Sequence, residues 1–380
     1  MIHVISIGTD QGVFDEKSDV RARLKRHARG FSELHVIVFA LKGSGFRATE
    51  DGNLWLYPTN SFSRLGYVFD AYRLACALVS GRSLDSRNAV ITTQDPFECG
   101  LAGFWVSWKK RLPLQVQMHT DFLSPFFGQM SLLNRFRILI ARFVIPRATG
   151  VRTVSERIAE SLRKSGVRLT RSVTVLPVFL DATRLSHAGT FNLHNRYGVS
   201  SFIVLMASRL SPEKDFGSAL EVFTRLKIVA PHAVLVIVGE GKEREAIFRD
   251  IKKRGLDKVV HIEKWQHDLS AYYKSADAFL LTSRFEGYGL VLIEAASLGC
   301  PIVSTDVGIA RELIPKEFER FIAPVQDAAS LSRRLMELSL NKTLRKQYGS
   351  LLSLSAKSRI VSEEEYLTHY RTTLESLIVI

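Results

Sequence analysis

The sequence predicts an α/β protein of two doubly wound, parallel-sheet domains. Short apolar runs rich in Val, Ile and Leu alternate with amphipathic helical stretches along almost the whole chain. That alternation lapses once, near 175–194, and then restarts. The chain has 380 residues, 46% apolar and 24% charged, enough for two cores of ordinary size. Strands that read as unbroken apolar runs are buried on both faces, which calls for helices on both sides of a parallel sheet.

The first half opens on "IHVISIG", a polar-apolar helical run at 18–30 and "LHVIVFA". It continues through "AVITT", the stretch 98–108, "PLQVQMH", a helix at 131–146, "TGVRTV", a helix at 155–165 and "SVTVLP". The second half repeats the scheme with "FIVLMAS", helix 215–229, "AVLVIVG", helix 242–254 and "VVHIE". Helix 268–275, "AFLLT", helix 289–299 and "PIVST" follow. These runs place domains at 1–180 and 181–361, with 362–380 a last amphipathic helix packing back towards the first domain. Ligands of such sheets bind at the carboxyl ends of strands, and two facing domains would form a cleft there.

The net charge is +14, and residues 1–190 hold 26 Lys and Arg against 15 Asp and Glu. A basic half suits an anionic partner, although solubility alone can explain such a bias. No apolar run is long enough to span a bilayer, and "MIHVISIGTD" enters a strand directly without the features of a secretory leader. The cysteines, Cys76, Cys99 and Cys300, form neither a metal spacing nor a disulfide framework, which suits a reducing, cytoplasmic setting.

Two loops carry the chemistry. "ASRLSPEKDF" puts Arg209 and Lys214 between a strand and a helix, where cations and helix N–H groups can meet one phosphate. "SRFEGYGLVLIEAASLGCP" puts Glu286 at a glycine turn and Glu294 eight positions on, inside the following helix. Gly287 and Gly289 let backbone approach a ligand, and carboxylates accept hydrogen bonds from hydroxyls. Hydroxyls and phosphates together describe a nucleotide-sugar. Glu294 alone would read equally well as a solvated helix residue. A glycosidase-type carboxylate pair fits poorly, because both groups sit on one corner and would not straddle a glycosidic bond.

The block 283–301 resembles the E-x7-E signature of retaining glycosyltransferases of GT-B architecture, specifically glycosyltransferase family 4. "SRLSPEKD" is similar to that family's R-L-x-x-x-K segment, "VLVIVGEG" to its glycine loop, and "LGCPIVSTDVGIARELI" to the strand and turn that follow. The resemblance is specific over about 202–315 and fainter through "VQMHTDF" and "RTVSERI". It implies two Rossmann-like domains, the first binding the acceptor and the second the nucleotide-sugar. It implies that Arg209 and Lys214 hold the donor diphosphate. Glu286 would contact the sugar, Gly239 and the backbone of Gly287, Tyr288, Gly289 and Leu290 would line the donor site, and Glu294 would read the ribose. It also implies front-side transfer of a hexose from a UDP- or GDP-sugar to a glycan or lipid-linked hydroxyl. The chain has no D-x-D triplet, in keeping with a metal-independent reaction and no cofactor beyond the donor.

In the first half the resemblance singles out His119, after "LQVQM", as a contact to the donor sugar. Asp121 beside it, Gly12 in "GTDQGVFDEKSDV", and Asp95 and Glu98 in "TTQDPFECG" are candidate acceptor contacts. Glu98 equally suits the first turn of a helix. Two departures stand out: the loop at Gly8 and Gly12 has separated glycines where the family has a glycine-rich run, and "LPVFLD" replaces an Asn-Gly pair. Residues 122–155 hold no Asp or Glu but five arginines and five phenylalanines, which suits peripheral docking on an anionic membrane face. A nucleic-acid partner is not expected, since no such module accompanies the arginines. A noncatalytic nucleotide-sugar sensor, or a synthase or phosphorylase on the same scaffold, are the competing readings.

Overall fold

The computed structural model describes residues 1–171, 173–181, 185, 191–266 and 268–378. The chain divides into two compact units, Met1–Pro177 with Ser362–Ile380, and Val178–Val361. Residues 182–184 and 186–190 of the expected linker lie outside the described residues.

The first unit runs β1 (His3–Gly8), α1 (Asp19–Ala28), β2 (Glu33–Val38), β3 (Thr49–Asp51), β4 (Leu54–Pro58), α2 (Tyr67–Gly81) and β5 (Ala89–Thr93). It continues with α3 (Glu98–Lys110), β6 (Leu114–Met118), α4 (Pro125–Gln129), α5 (Leu132–Val144), β7 (Gly150–Thr153), α6 (Glu156–Lys164) and β8 (Val173–Val175). Its sheet has the order β3-β4-β2-β1-β5-β6-β7-β8. β5, β6 and β7 are buried at every position, so both faces are covered.

The second unit runs α7 (Leu193–Tyr197), β9 (Phe202–Ala207), α8 (Phe216–Val229), β10 (Ala233–Val238), α9 (Arg244–Lys253), β11 (Val260–Glu263) and α10 (Ser270–Ser275). Then come β12 (Ala278–Leu281), α11 (Leu290–Ser297), β13 (Ile302–Thr305), α12 (Ala310–Leu313), β14 (Ile322–Ala323), α13 (Ala328–Leu340) and α14 (Lys342–Lys357). Its sheet has the order β11-β10-β9-β12-β13-β14, all parallel. The chain returns to the first unit with α15 (Glu363–Glu375), capped by Ser362 and opened by three glutamates that complement the helix N-terminus.

The two-domain α/β reading is borne out, with two local differences. Residues 49–58 form an antiparallel pair, β3 with β4, at the sheet edge. An Asp51-Gly52 turn with Gly52 at φ +65 makes it, a short-range hairpin signal that the longer alternation hides. The helix expected at 131–146 is preceded by a separate one-turn helix, α4. Ser131 ends that segment and caps α5 by accepting from Asn134 N–H, and Pro146 sits in a 3₁₀ turn beyond it.

Strand order reverses between β1 and β5 in the first sheet, and between β9 and β12 in the second. The carboxyl ends of strands at such reversals open crevices, because the following loops diverge to opposite sides. The loops after β9 and β12 carry Arg209, Lys214 and Glu286. Those after β1, β5 and β6 carry Gly12, Asp95, Glu98, His119 and Asp121.

Candidate active site

In the second unit the two loops at the strand reversal are stitched together. Lys214 Nζ donates to Glu286 Oε1 at 2.5 Å, and Ser283 Oγ donates to the same oxygen at 2.7 Å. Both charged side chains are largely buried, so each needs the other. The Arg284 guanidinium spans Asp215 at 3.1 and 3.3 Å, and the Arg284 backbone N–H donates to Glu213 O at 2.8 Å. Thr282 Oγ1 donates to Lys214 O at 2.8 Å. Asp215 sits in the left-handed region at φ +52 and caps α8 through Ser218. Arg209 is different: its side chain is 79% exposed, and Glu213 approaches only to 3.8 Å. It is a cation on a fixed backbone that faces solvent.

Glycines let backbones meet here. A Cβ on Gly239 would lie 1.9 Å from Ser208 O, and one on Gly241 2.2 Å from Leu210 O. The β10 loop is thereby pressed against the Arg209 loop, where Leu210 N–H donates to Glu240 O at 2.8 Å. Gly308, at φ +51, brings a third loop within 2.4 Å, measured from its would-be Cβ to Tyr288 O. Gly289, at φ +86, turns the chain into α11, whose N-terminus has no side-chain cap. The Tyr288 side chain is buried and its pKa is pushed up to about 12 by burial, then by Glu312. Backbone rather than phenol is therefore what this residue can offer a ligand.

Glu294 lies inside α11 and accepts from Tyr273 OH at 3.0 Å. Burial raises its pKa above the ordinary carboxylate range, and the Tyr273 hydrogen bond opposes that rise. A partly buried carboxylate held by one phenol keeps acceptor capacity for a hydroxyl.

In the first unit His119 follows β6. Its Nε2 lies 2.9 Å from Gln117 Oε1, which also accepts from Arg152 at 3.0 Å. The guanidinium can only donate, so it fixes the amide oxygen, and the amide oxygen in turn requires Nε2 to carry the proton. The protein around the imidazole, then the charges of Arg152 and Arg23, push the His119 pKa down, although the residue is exposed to solvent. His119 is thus neutral, with Nδ1 as an acceptor. Arg152 is itself buried and also donates to Tyr366 OH on α15 at 3.1 Å. The C-terminal helix therefore braces the strand that presents His119.

The other first-unit candidates have local duties. Asp95 Oδ1 accepts from Phe97 N–H at 2.7 Å and Cys99 N–H at 3.3 Å, starting α3, and burial raises its pKa. Glu98 holds Arg137 Nε at 2.9 and 3.1 Å. Gly12 donates its N–H to Asp10 Oδ1 at 3.0 Å inside a 3₁₀ turn. Asp121 is buried, its pKa is raised by that burial, and its Oδ1 has no hydrogen-bond partner among the described residues.

The model of the group 1 glycosyl transferases matches residues 195–350, and that of the glycosyl transferase 4-like domain matches 20–178. The chain belongs to the group 1 glycosyl transferases. The UDP-Gal:alpha-D-GlcNAc-diphosphoundecaprenol alpha-1,3-galactosyltransferase of Escherichia coli is 28% identical over 171 residues, which cover 43% of this chain and 42% of that one. The amylovoran biosynthesis glycosyltransferase AmsD of Erwinia amylovora is 30% identical over 146 residues, covering 38% and 41%. The aligned segments thus span less than half of each relative's length. The fold matches the crystal structure of Anabaena Alr3699/HepE in complex with UDP and glucose, with a TM-score of 0.74 at 19% identity over 99% of this chain and 100% of that one. A GT-B architecture follows.

The residues that sequence reasoning passed over are the supports. Ser283, Arg284 and Asp215 fix the Lys214–Glu286 pair, and Gln117 and Arg152 orient His119. Asp215 had a signal, since Asp is one of the few residues at ease in the left-handed region before a helix. Gln117 and Arg152 had none, being polar residues within apolar strands. One group among the described residues, His3, Glu33 and His35, has metal-ligand chemistry, its donor atoms lying within 4.8 Å of one another. It sits at the amino ends of β1 and β2, away from the loops, and Arg82 occupies the second Glu33 oxygen at 3.2 Å.

Proposed function

We propose that this glycosyltransferase is a retaining hexosyltransferase that moves a hexose from a UDP- or GDP-sugar to a hydroxyl of a glycan or lipid-linked acceptor. The Lys214–Glu286 pair beside the α11 N-terminus carries this reading. It sets a cation and helix N–H groups where a diphosphate would leave, and a carboxylate where sugar hydroxyls would sit. The exposed Arg209 completes the anion site, and Glu294 accepts from the ribose. The relatives favour a UDP-sugar and a polyprenyl-diphosphate acceptor, since the Escherichia coli enzyme's name contains both.

The anomeric carbon–phosphate oxygen bond breaks as the acceptor oxygen bonds to the same face. The acceptor proton passes to the departing diphosphate oxygen. Charge builds on the diphosphate, where Arg209 and Lys214 stabilise it in place of a divalent metal. His119, neutral and accepting at Nδ1, takes a hydrogen bond from the donor sugar. Among the described residues no helix is long and apolar enough to cross a membrane. A lipid-linked acceptor would be met at a membrane surface, from the cytoplasmic side.

The test is thermal stability with UDP, GDP, ADP or no ligand, followed by product formation from the matching sugar nucleotide with and without EDTA. A nucleotide at 100 times its dissociation constant adds about 2.7 kcal/mol. A shift with UDP or GDP, lost in Glu294→Ala, is expected, with transfer unaffected by EDTA and the α-linkage of the donor kept. Binding without transfer or hydrolysis would leave a noncatalytic sensor.

A further inference from the structure

The outward face of three adjacent helices of the first unit has no use in the donor chemistry. On α5, Leu132, Phe136, Leu139 and Phe143 recur at i, i+4, i+7 and i+11, and all are exposed, Phe136 at 63% and Leu139 at 61%. The buried side of the same helix holds Ala141 and Val144. A surface helix normally turns one apolar stripe inward; this one has a second stripe aimed at solvent. On α3, Trp108 is 74% exposed and Trp105 partly so. The ring of Phe104 meets Phe143 edge-on at 5.2 Å, and Trp105 meets Tyr72 of α2 at 6.2 Å. These ring contacts make the three helices one continuous aromatic face.

The charge on this face is one-sided. The three helices carry Arg73, Lys109, Lys110, Arg135, Arg137 and Arg142 against Asp70 and Glu98. Glu98 is already neutralised by Arg137. Arg147 stacks over Phe143 at 4.0 Å just beyond α5.

We infer that this face docks the enzyme on an anionic phospholipid surface. Aromatic and aliphatic side chains inserted among basic ones suit the headgroup–acyl boundary, where Trp is at home and Lys and Arg meet lipid phosphates. A second copy of the chain would bring like charges together. Nucleic acid would leave the aliphatic stripe of Leu132 and Leu139 without a partner. The inference rests on the lipid-linked acceptor reading, because docking places the enzyme where such an acceptor lies.

The experiment is co-sedimentation of the full chain with vesicles of phosphatidylcholine alone or mixed with phosphatidylglycerol, at low and high salt. Two surface variants accompany it, Trp108→Ser/Phe136→Ser/Leu139→Ser and Lys109→Glu/Arg142→Glu. Each sample is also tested for its UDP thermal shift and its mass by size exclusion. Wild type should bind the mixed vesicles, bind pure phosphatidylcholine far less, and release in high salt. The charge variant should partition more than about thirtyfold more weakly, since that is the loss from removing two basic charges alone and the two glutamates add repulsion. The apolar variant should be lost from both vesicle types, and both variants should keep the UDP shift. Equal binding to both vesicle types, undiminished binding by the variants, or a wild-type dimer that the apolar variant splits would each overturn the inference. A lost UDP shift alongside intact vesicle binding would instead overturn the donor reading.

Discussion

The loops at the strand reversal of the second sheet differ sharply from those of the first. In the second unit, charged side chains reach from one loop to another: Lys214 to Glu286, and Arg284 to Asp215. In the first unit Asp95 starts its own helix and Gly12 meets Asp10 two residues away, while Glu98 reaches Arg137 on α5. Long-range pairs fix a shape that several residues must agree on, so its residue types and spacing recur as a motif. Local caps can be satisfied by many residues, so they leave a site open to change. This is why the loops of the second unit carry a motif that the sequence displays, whereas those of the first yielded only separate candidates.

The sharpest way to break this contrast is Arg209→Ala. Being 79% exposed, the side chain should leave the melting temperature nearly unchanged, as surface substitutions do within about 0.5 kcal/mol. Turnover should fall on the order of 10²- to 10³-fold, the usual effect of losing one preorganised group at a developing anion. Lys214→Ala should match that loss and also destabilise the fold, since it strips Glu286 of its buried partner. Steady-state assay beside thermal melting separates the two. Full activity in Arg209→Ala would end the leaving-group role.

Asp215 should come next. Asp215→Ala loses a helix cap, a bidentate guanidinium contact and a residue at ease at φ +52. A cost of about 2–3 kcal/mol is expected from those three losses. Asp215→Asn tolerates the backbone and can still cap, so it should cost about 1 kcal/mol. Urea unfolding of the second unit's fluorescence transition would measure both. Equal costs would mean that the cap and the backbone preference contribute nothing and that the Arg284 contact accounts for the whole effect.

The fold was legible because apolar runs and helical periodicity repeat across both halves. Arg209, Lys214 and Glu286 could be picked out because each lies in a loop after a strand, and Glu294 because it follows Glu286 by eight positions. Gly239 was read as a ligand-approach glycine, and the structure adds a reason internal to the protein, its contact with Ser208 O. Asp51-Gly52 was a turn signal too short to weigh against the longer pattern. Gln117 and Arg152 sit at strand positions where an apolar residue is expected. Their role appears only once β6, β7 and α15 are side by side. The outward stripe of α5 could not be told from its inward face, because composition cannot say which apolar face points inward.

Glu294→Gln sets the cost of a site against its use. Burial raises the carboxyl's pKa in the folded protein, so the folded state holds its proton more tightly than the unfolded chain. The stabilisation from that proton is complete below the unfolded value and is lost as pH rises through the folded one. At neutral pH the ionised carboxylate therefore destabilises the unliganded protein. Glu294→Gln should melt higher than wild type at pH 7, with the gap closing in acid, yet gain less from UDP. Wild-type UDP affinity should fall as pH drops through the raised pKa. A variant that melts lower at every pH would show that the carboxylate stabilises the fold.

The smallest expected effect lies in the first unit, at a long-range contact between neighbouring strands. Arg152 fixes the oxygen of Gln117, and that oxygen fixes the proton on His119 Nε2. Gln117→Leu removes the acceptor and keeps the volume. The imidazole should then exchange between tautomers, and kcat should fall about fivefold, near the net value of one hydrogen bond. Nitrogen-15 shifts of the ring read this without any assay: wild type should show a single neutral form protonated at Nε2, the variant a mixture. The lowered pKa also has a sign. The fold favours neutral His119, so its stabilisation holds above the unfolded value and is lost as pH falls through the folded one. Wild-type activity should therefore show no His119 titration between about pH 6 and 7, the range of an unperturbed histidine. A ring protonated at Nδ1 in wild type would separate Gln117 from the chemistry.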